Sequence, residues 1–418
     1  MSLRTFIALE TKTTSGFYLD NLTGVRAFAV LWVLIFHTWG ISQGPNVAVH
    51  IPFLSHEIGL TRMFKMGEWG VDIFFVLSGF LLSLPFLKPR DAHPSFWEST
   101  KDFYRRRALR LLPAFYFTVF IVLCMLFLGF GKLPKAKEIL MQVTLVIPWF
   151  QTPPLRGVLW SLPVEAMFYV FLPFLMLLAT RMRSFTTVFF ALVVLTVLFR
   201  IVIINASFFQ DKGTFLYSFF GRMDQFSLGV LAAYFCLKHP PSARRGTWLM
   251  IGTLIATMLF INFIGKRGNM FANRDSVYYF FQTVIGILAA LLIYSAASPS
   301  HLAKILFGNR LMIFIGTISY SIYLWHTVIL DVFCTLPIYQ KMVPDNRLLL
   351  TSLATFPIIF ILSFFSYLFV ERPFLSIRHG APSQQQSFVA RNPVWFLVLM
   401  ALALVLFTAY LQKVTRMV

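Results

Sequence analysis

The sequence has 418 residues, 58% of them hydrophobic and 12% charged, with a mean hydropathy of +0.75. A water-soluble domain of this length has no use for so much apolar surface, which excludes a soluble enzyme and leaves a polytopic membrane protein. The formal net charge of +20 does not point to nucleic acid, because the basic residues lie mostly in short stretches between apolar runs, the pattern of membrane topology.

The apolar runs predict eleven spans, over residues 22–42, 68–87, 108–130, 158–180, 184–205, 214–237, 246–264, 277–297, 310–332, 348–370 and 393–412. The expected fold is therefore all-α: a polytopic transmembrane helical bundle of about ten core spans plus one extra C-terminal span. The opening MSLRTFIALETKTTSGFYLD is too polar for a cleavable signal peptide, so residues 1–21 read as a cytoplasmic N-terminal segment. Residues 22–375 read as one transmembrane domain, 376–392 as a Ser/Gln/Pro linker, and 393–412 as the additional helix. No second domain and no period-length repeat is visible.

The stretch from Glu138 to Phe150 is apolar but short, with Pro148, Pro153 and Pro154 at its end. It reads as a re-entrant or interfacial piece, not a span. With the N-terminus cytoplasmic, Lys and Arg are then in modest excess on the inner side, in 88–107, 181–183, 238–245, 298–309 and 371–392. The loops 41–67 and 131–157 and the C-terminus fall outside, as for a protein of the plasma (inner) membrane. Cys124, Cys236 and Cys334 all lie in or beside apolar runs and form neither a disulfide framework nor a metal-ligand spacing.

Several spans carry ionisable residues, which are costly in a bilayer and commonly mark a functional path. The first span, LTGVRAFAVLWVLIFHTWG (Leu22 to Gly40), holds Arg26 and His37. Eleven residues are close to three helical turns, so both project from one face, about 16 Å apart along the axis. In GEWGVDIFFVLSGFLLS (Gly67 to Ser83), Asp72 lies in an apolar run and calls for a histidine or arginine partner at similar depth, while Ser78 and Gly79 permit close helix approach. FYRRRALRLLPAF (Phe103 to Phe115) brings Arg106, Arg107 and Arg110 to the entry of the third span. Guanidinium forks bind phosphate bidentately, so this basic mouth suits either a phosphorylated cytosolic donor or anionic lipid.

Further along, LWSLPVEAMFYVFLPF (Leu159 to Phe174) sets Ser161 and Glu165 four residues apart on one face, with Pro163 in the first turn. Glu165 can orient a base, act as one, or be a satisfied buried carboxylate. FGRMDQFSLGVLAAY (Phe220 to Tyr234) carries Arg222 and Asp224 two apart, so each faces a different neighbour. ISYSIYLWHTVIL (Ile318 to Leu330) aligns Ser319, Tyr323 and His326 in one polar stripe. VERPF (Val370 to Phe374) ends a span with Glu371, Arg372 and a helix-stopping Pro373. Placed by depth, His37, Asp72, Glu165, Arg200, Arg222, Asp224 and His326 fall in the outer half of the bilayer, and Arg26 and Arg110 in the inner half. No metal site is expected.

An Arg and a His with ten residues between them, then GVDIFFVLSGF, RRALR, LWSLPVEAMFY, SYSIYLWH and VERPF in this order, resemble the acyltransferase-3 family of integral membrane acyltransferases. The resemblance covers residues 16 to 375. It implies transfer of an acyl group, commonly acetyl, from cytosolic acyl-CoA to a hydroxyl of an extracytoplasmic glycan or glycoside. By the same resemblance His37 and Arg26 are the catalytic pair, Arg106, Arg107 and Arg110 bind the donor, and Asp72 and Glu165 are further site residues. Acyl-CoA would be a cosubstrate and no cofactor is held permanently; the bilayer is the other expected partner. The chain departs from the family pattern at Pro163 and Ala166, where a Ser and a second acid are common, and at Thr23, where many members place Asp. With no GDS-type nucleophile motif in the sequence, the expectation is a stand-alone member without a C-terminal esterase-like domain, acylating its acceptor directly or relying on a separate protein.

Two other classes compete. A secondary transporter would use the same buried acids, bases and histidines as a proton relay, but such proteins often show two-fold internal repeats, which are not visible here. A lipid- or partner-binding scaffold leaves the ordered set of buried ionisable residues unexplained.

Overall fold

The computed structural model describes residues 19–50, 57–87, 95–130, 134–145, 157–182, 184–207, 209, 211–267, 276–378 and 393–415. An unpaired N–H or C=O costs several kcal/mol in lipid, so long apolar runs satisfy their backbone internally as helices, and the chain is built from them. In order they are α1 (Leu19–Ile41), α2 (Thr61–Lys65), α3 (Trp69–Leu87), α4 (Phe96–Phe130), α5 (Ala136–Val143), α6 (Ser161–Arg181), α7 (Phe185–Asn205) and α8 (Lys212–Leu216). They continue as α9 (Phe219–Lys238), α10 (Ala243–Gly265), α11 (Val277–Ala296), α12 (His301–Leu306), α13 (Arg310–Thr317), α14 (Ser319–Thr335), α15 (Pro337–Gln340), α16 (Pro344–Ser366), α17 (Arg372–Arg378) and α18 (Pro393–Thr415).

Every expected span has a helical counterpart. Among the described residues, eight stretches are long and apolar enough to cross a bilayer, and the pair α13–α14, bent by 69° at Ile318, makes a ninth. Helix α9 has the length, but Arg222, Asp224, Gln225 and Lys238 lower its apolarity. The apolar part of α18 is the shorter stretch Trp395–Ala409.

Three features differ from the sequence reading, and one further stretch is described only in part. The loop after α1 contains a small antiparallel ribbon, β1 (Ala48–His50) on β2 (Glu57–Gly59), with Val49 opposite Ile58. Pairing of loop backbone groups drives it, and the bond from Leu60 N–H to Val47 O (2.7 Å) closes its base. Second, α4 starts twelve residues before its expected span. At 35 residues it is about 52 Å long, so Arg105, Arg106 and Arg107 stand on the helix and not in a loop. Third, in the stretch read as re-entrant or interfacial, α5 has only eight residues, about 12 Å, too short to cross alone, and residues 146–150 of that stretch lie outside the described residues. Fourth, Pro373 does not stop the helix. A π turn, Tyr367–Glu371, widens the register and Arg372 N–H bonds back to Tyr367 O, so Pro373 enters the first turn of α17, where a missing N–H is harmless. The linker 379–392 and the segment 1–18 lie outside the described residues.

The chain divides into two compact units. The first holds residues 1–88, 174–320 and 330–356. Its core is Leu22, Val25, Ala29 and Trp32 of α1 against Trp69, Ile73, Val76 and Phe80 of α3, with Ala233 of α9 and Ile285 and Ala289 of α11. Two glycines set the α3–α9 crossing. A Cβ on Gly79 would strike the Phe226 carbonyl oxygen and lie 3.1 Å from Gly229 Cα, and one on Gly229 would strike Val76 O. Only bare backbone fits there.

The second unit holds residues 89–173, 321–329 and 357–418. Tyr116 of α4 donates its hydroxyl to Val143 O of α5 (3.1 Å), and α18 lies along α4 with the Phe120 and Phe407 rings 5.5 Å apart.

Candidate functional site

The first unit contains Arg26 and His37 on α1. Helix α1 is fixed along its length by neighbours in this unit. Asn21 Nδ2 donates to Ala296 O (2.9 Å), Trp32 Nε1 to Met63 O (2.7 Å), and Gly316 lies so close to the Thr23 carbonyl that a Cβ there would overlap it. Both site residues are half-buried. His37 Nδ1 bonds to Val33 O at 3.0 Å, and its ring stands edge-on to Phe36 at 4.9 Å. A carbonyl oxygen only accepts, so Nδ1 carries the proton and Nε2 is the basic nitrogen of the neutral ring. The group that orients the imidazole at Nδ1 is thus a main-chain carbonyl.

The same unit holds two buried ion pairs. Asp72 of α3 accepts from Arg222 Nη1 (2.6 Å) and Gln225 Nε2 (2.5 Å), both on α9. Asp224 accepts from Arg200 Nη2 of α7 (2.6 Å) and from the Thr283 hydroxyl of α11 (2.6 Å). Arg200 also donates to Thr283 Oγ1 (2.9 Å) and twice to Gly221 O (2.9 and 2.8 Å). The two-residue spacing on α9 sends Arg222 to α3 and Asp224 to α7, the divergence anticipated from their positions. Charges this deeply buried persist when they are paired and hydrogen-bonded, and the ring of Tyr217, 5.0 Å from the Arg222 guanidinium carbon, adds a cation–π contact. Asp72 is engaged by Arg222 and Gln225, four helical elements of this unit are pinned together, and the carboxylate belongs to that lattice. Ser319, also in this unit, is buried as the first residue of α14.

The second unit carries the remaining expected residues. On α4, Arg106 pairs with Asp102 one turn earlier, the Arg107 guanidinium lies 5.8 Å from the Phe103 ring, and Arg110 Nη1 is 3.4 Å from Glu371 Oε2. The Ser321 hydroxyl donates to the other Glu371 oxygen. On α6, Tyr169 donates to Glu165 Oε1 (2.6 Å), and Ser161 Oγ meets the Tyr323 hydroxyl at 2.7 Å. Tyr323 in turn donates to Val158 O (2.5 Å). His326 Nδ1 bonds to the carbonyls of Ile322 (3.1 Å) and Tyr323 (2.8 Å), so its Nε2 is again the basic nitrogen.

Sequence reasoning missed Gln225, Thr283, Tyr169 and Ser321. Gln225 had a signal, as a third polar residue in one turn of a membrane helix. Tyr169 sits one turn after Glu165. Thr283 and Ser321 are small hydroxyls of the kind membrane helices carry routinely, and nothing distinguished them. Among the described residues, no three His, Cys, Asp or Glu side chains converge on a possible metal position.

The family model described as "Acyltransferase domain" matches residues 19–372. A Staphylococcus aureus (strain COL) protein named "Putative O-acetyltransferase SACOL0978" is 27% identical over 379 residues, which cover 85% of this chain and 57% of that protein. "O-acetyltransferase OatA" of Staphylococcus aureus (strain NCTC 8325 / PS 47) is 26% identical over 401 residues, 89% of this chain and 60% of the relative. The chain therefore spans less than two thirds of the length of these relatives. No solved structure matches it. With the match running through nearly all the described helices, the chain belongs to this acyltransferase family.

Proposed function

We propose that this chain is an integral membrane O-acetyltransferase that moves an acyl group, acetyl, from cytosolic acetyl-CoA to a hydroxyl of an extracytoplasmic glycan or glycoside. The bilayer is its solvent, with the N-terminus cytoplasmic and the C-terminus outside at the plasma membrane. Family membership supports acyl transfer, and the names of the two relatives support acetyl and oxygen.

In this reading Arg106, Arg107 and Arg110 take the nucleotide phosphates of the donor, and Arg26 and His37 are the catalytic pair, with Arg26 holding donor charge. Nε2 of His37 removes the proton of the acceptor hydroxyl as its oxygen attacks the thioester carbonyl. The C–S bond breaks, the oxygen–acetyl bond forms, and the imidazolium returns the proton to the leaving CoA thiolate. Asp72 and Glu165 are further residues of the site in this reading, and Arg222, Asp224, Ser161, Ser319, Tyr323, His326 and Glu371 support it.

The observation that carries the reading is the bond from His37 Nδ1 to Val33 O. It leaves the basic nitrogen of a half-buried histidine on the same helical face as Arg26, inside the matched segment. The test is membrane vesicles given radiolabelled acetyl-CoA. Wild-type vesicles are expected to transfer covalent label to glycan or glycoside, and His37→Ala to lose transfer while staying in the membrane at normal amounts. Near-normal labelling by that variant would sink the assignment, and transport of solute without covalent label would favour a transporter.

A further inference from the structure

Helix α4 carries four arginines, and the three assigned to the donor, Arg106, Arg107 and Arg110, differ in their contacts. Arg106 pairs with Asp102 on its own helix and Arg107 leans toward the Phe103 ring on its own helix. Arg110 instead meets Glu371, a residue 261 positions later in the chain. The Glu371 side chain is 1% exposed and that of Arg110 16%. Arg110 therefore has its guanidinium aimed by a residue far away in the sequence.

Glu371 is itself built into place. It closes the π turn Tyr367–Glu371 at the end of α16. Inserting a residue into the helical register rotates the rest of the helix by roughly a quarter turn, and such turns are frequent at functional positions. The carboxylate is further fixed by the hydroxyl of Ser321, the third residue of α14. One oxygen serves Ser321 and the other faces Arg110. A long arginine side chain loses much rotamer freedom when it binds phosphate, and a carboxylate that holds the guanidinium in advance removes part of that cost. With five N–H donors, one guanidinium can serve a carboxylate and a phosphate together.

We propose that Glu371 is a positioning residue for the donor: the π turn and Ser321 hold its carboxylate so that it aims Arg110 at a phosphate group of the acyl-CoA nucleotide. This rests on the acetyl-CoA reading above, and it assigns to VERPF a role on the donor side.

The experiment compares acetyl-CoA with S-acetylpantetheine, which has the same thioester arm and lacks the nucleotide, in membranes containing the native acceptor. Glu371→Gln keeps the volume and an oxygen for Ser321 but removes the charge. The expected result is a KM for acetyl-CoA raised about tenfold with kcat changed less than about twofold, and no change in the rates with S-acetylpantetheine. Glu371→Asp should recover part of the loss, and Ser321→Ala should shift the KM for acetyl-CoA in the same direction by about threefold. Ser321→Ala also serves if Glu371→Gln fails to accumulate, since it leaves the ion pair in place. An unchanged KM for acetyl-CoA in both variants, or an equal penalty with both donors, would overturn the proposal. Wild-type membranes that transfer acetyl from neither donor would instead overturn the acetyl-CoA reading.

Discussion

Replacing Asp72 tests whether the buried charges of the first unit act as one lattice. Asp72 and Arg222 are 4% and 5% exposed, and the carboxylate takes two short bonds, 2.6 Å from Arg222 and 2.5 Å from Gln225. Asn at position 72 keeps the size and one acceptor oxygen, so packing is hardly altered. What changes is that the Arg222 guanidinium is left in the interior with its nearest counter-charge gone. Breaking a buried pair from one side costs about 3–5 kcal/mol, a large part of the stability of an ordinary domain. Arg222→Gln should cost at least as much, because Arg222 also acts electrostatically on Asp224 and Glu68. The double variant removes both charges and should be more stable than the sum of the singles predicts, with a coupling of about 2–3 kcal/mol. The assay is denaturant unfolding in detergent micelles for the four proteins, followed by circular dichroism, with acetyl transfer measured on the same membranes. Strict additivity of the two singles would refute the reasoning, since it would mean that the pair does not act as a unit.

Two further substitutions probe the geometry. Gly79→Val places a side chain against the Phe226 carbonyl, so α3 and α9 must part; the expected outcome is a sharp fall in folded protein, read by size-exclusion chromatography of the solubilised membrane fraction, and Gly229→Val should behave alike. Tyr323→Phe removes the hydroxyl that bridges Ser161 and Val158 O, leaving a buried carbonyl without that donor, and is expected to lower stability by about 1–3 kcal/mol in the same unfolding assay.

Much of the helical framework was legible because it depends on local properties. A run of twenty apolar residues must be a helix in lipid whatever surrounds it, and residues two apart on a helix must diverge, which is why the separate partners of Arg222 and Asp224 could be anticipated. The close approach at Gly79 was legible for the same reason. The contacts that could not be read join residues far apart in sequence. Thr283 meets Asp224 across 59 positions and Ser321 meets Glu371 across 50, and neither hydroxyl carries a local mark. The break at Ile318 and the π turn before Arg372 were hidden as well, because an apolar run looks continuous whether or not its hydrogen-bond register slips. The start of α4 was misjudged because apolarity ends well before helical geometry does: 96–107 is polar, yet it continues the same helix.

The bond from His37 to Val33 O has a consequence for genetics. Where a carboxylate holds a histidine, loss-of-function screens recover the carboxylate and so reveal the arrangement. Here the holding atom belongs to the main chain, which every substitution at position 33 retains. A saturation map of α1 would return Arg26 and His37 as intolerant positions, while apolar replacements of the fully buried Val33 that keep its volume would retain the carbonyl that orients the imidazole. Losses at position 33 would then report on packing, since the hydrogen bond that orients the imidazole is encoded in the helix backbone and survives the substitution.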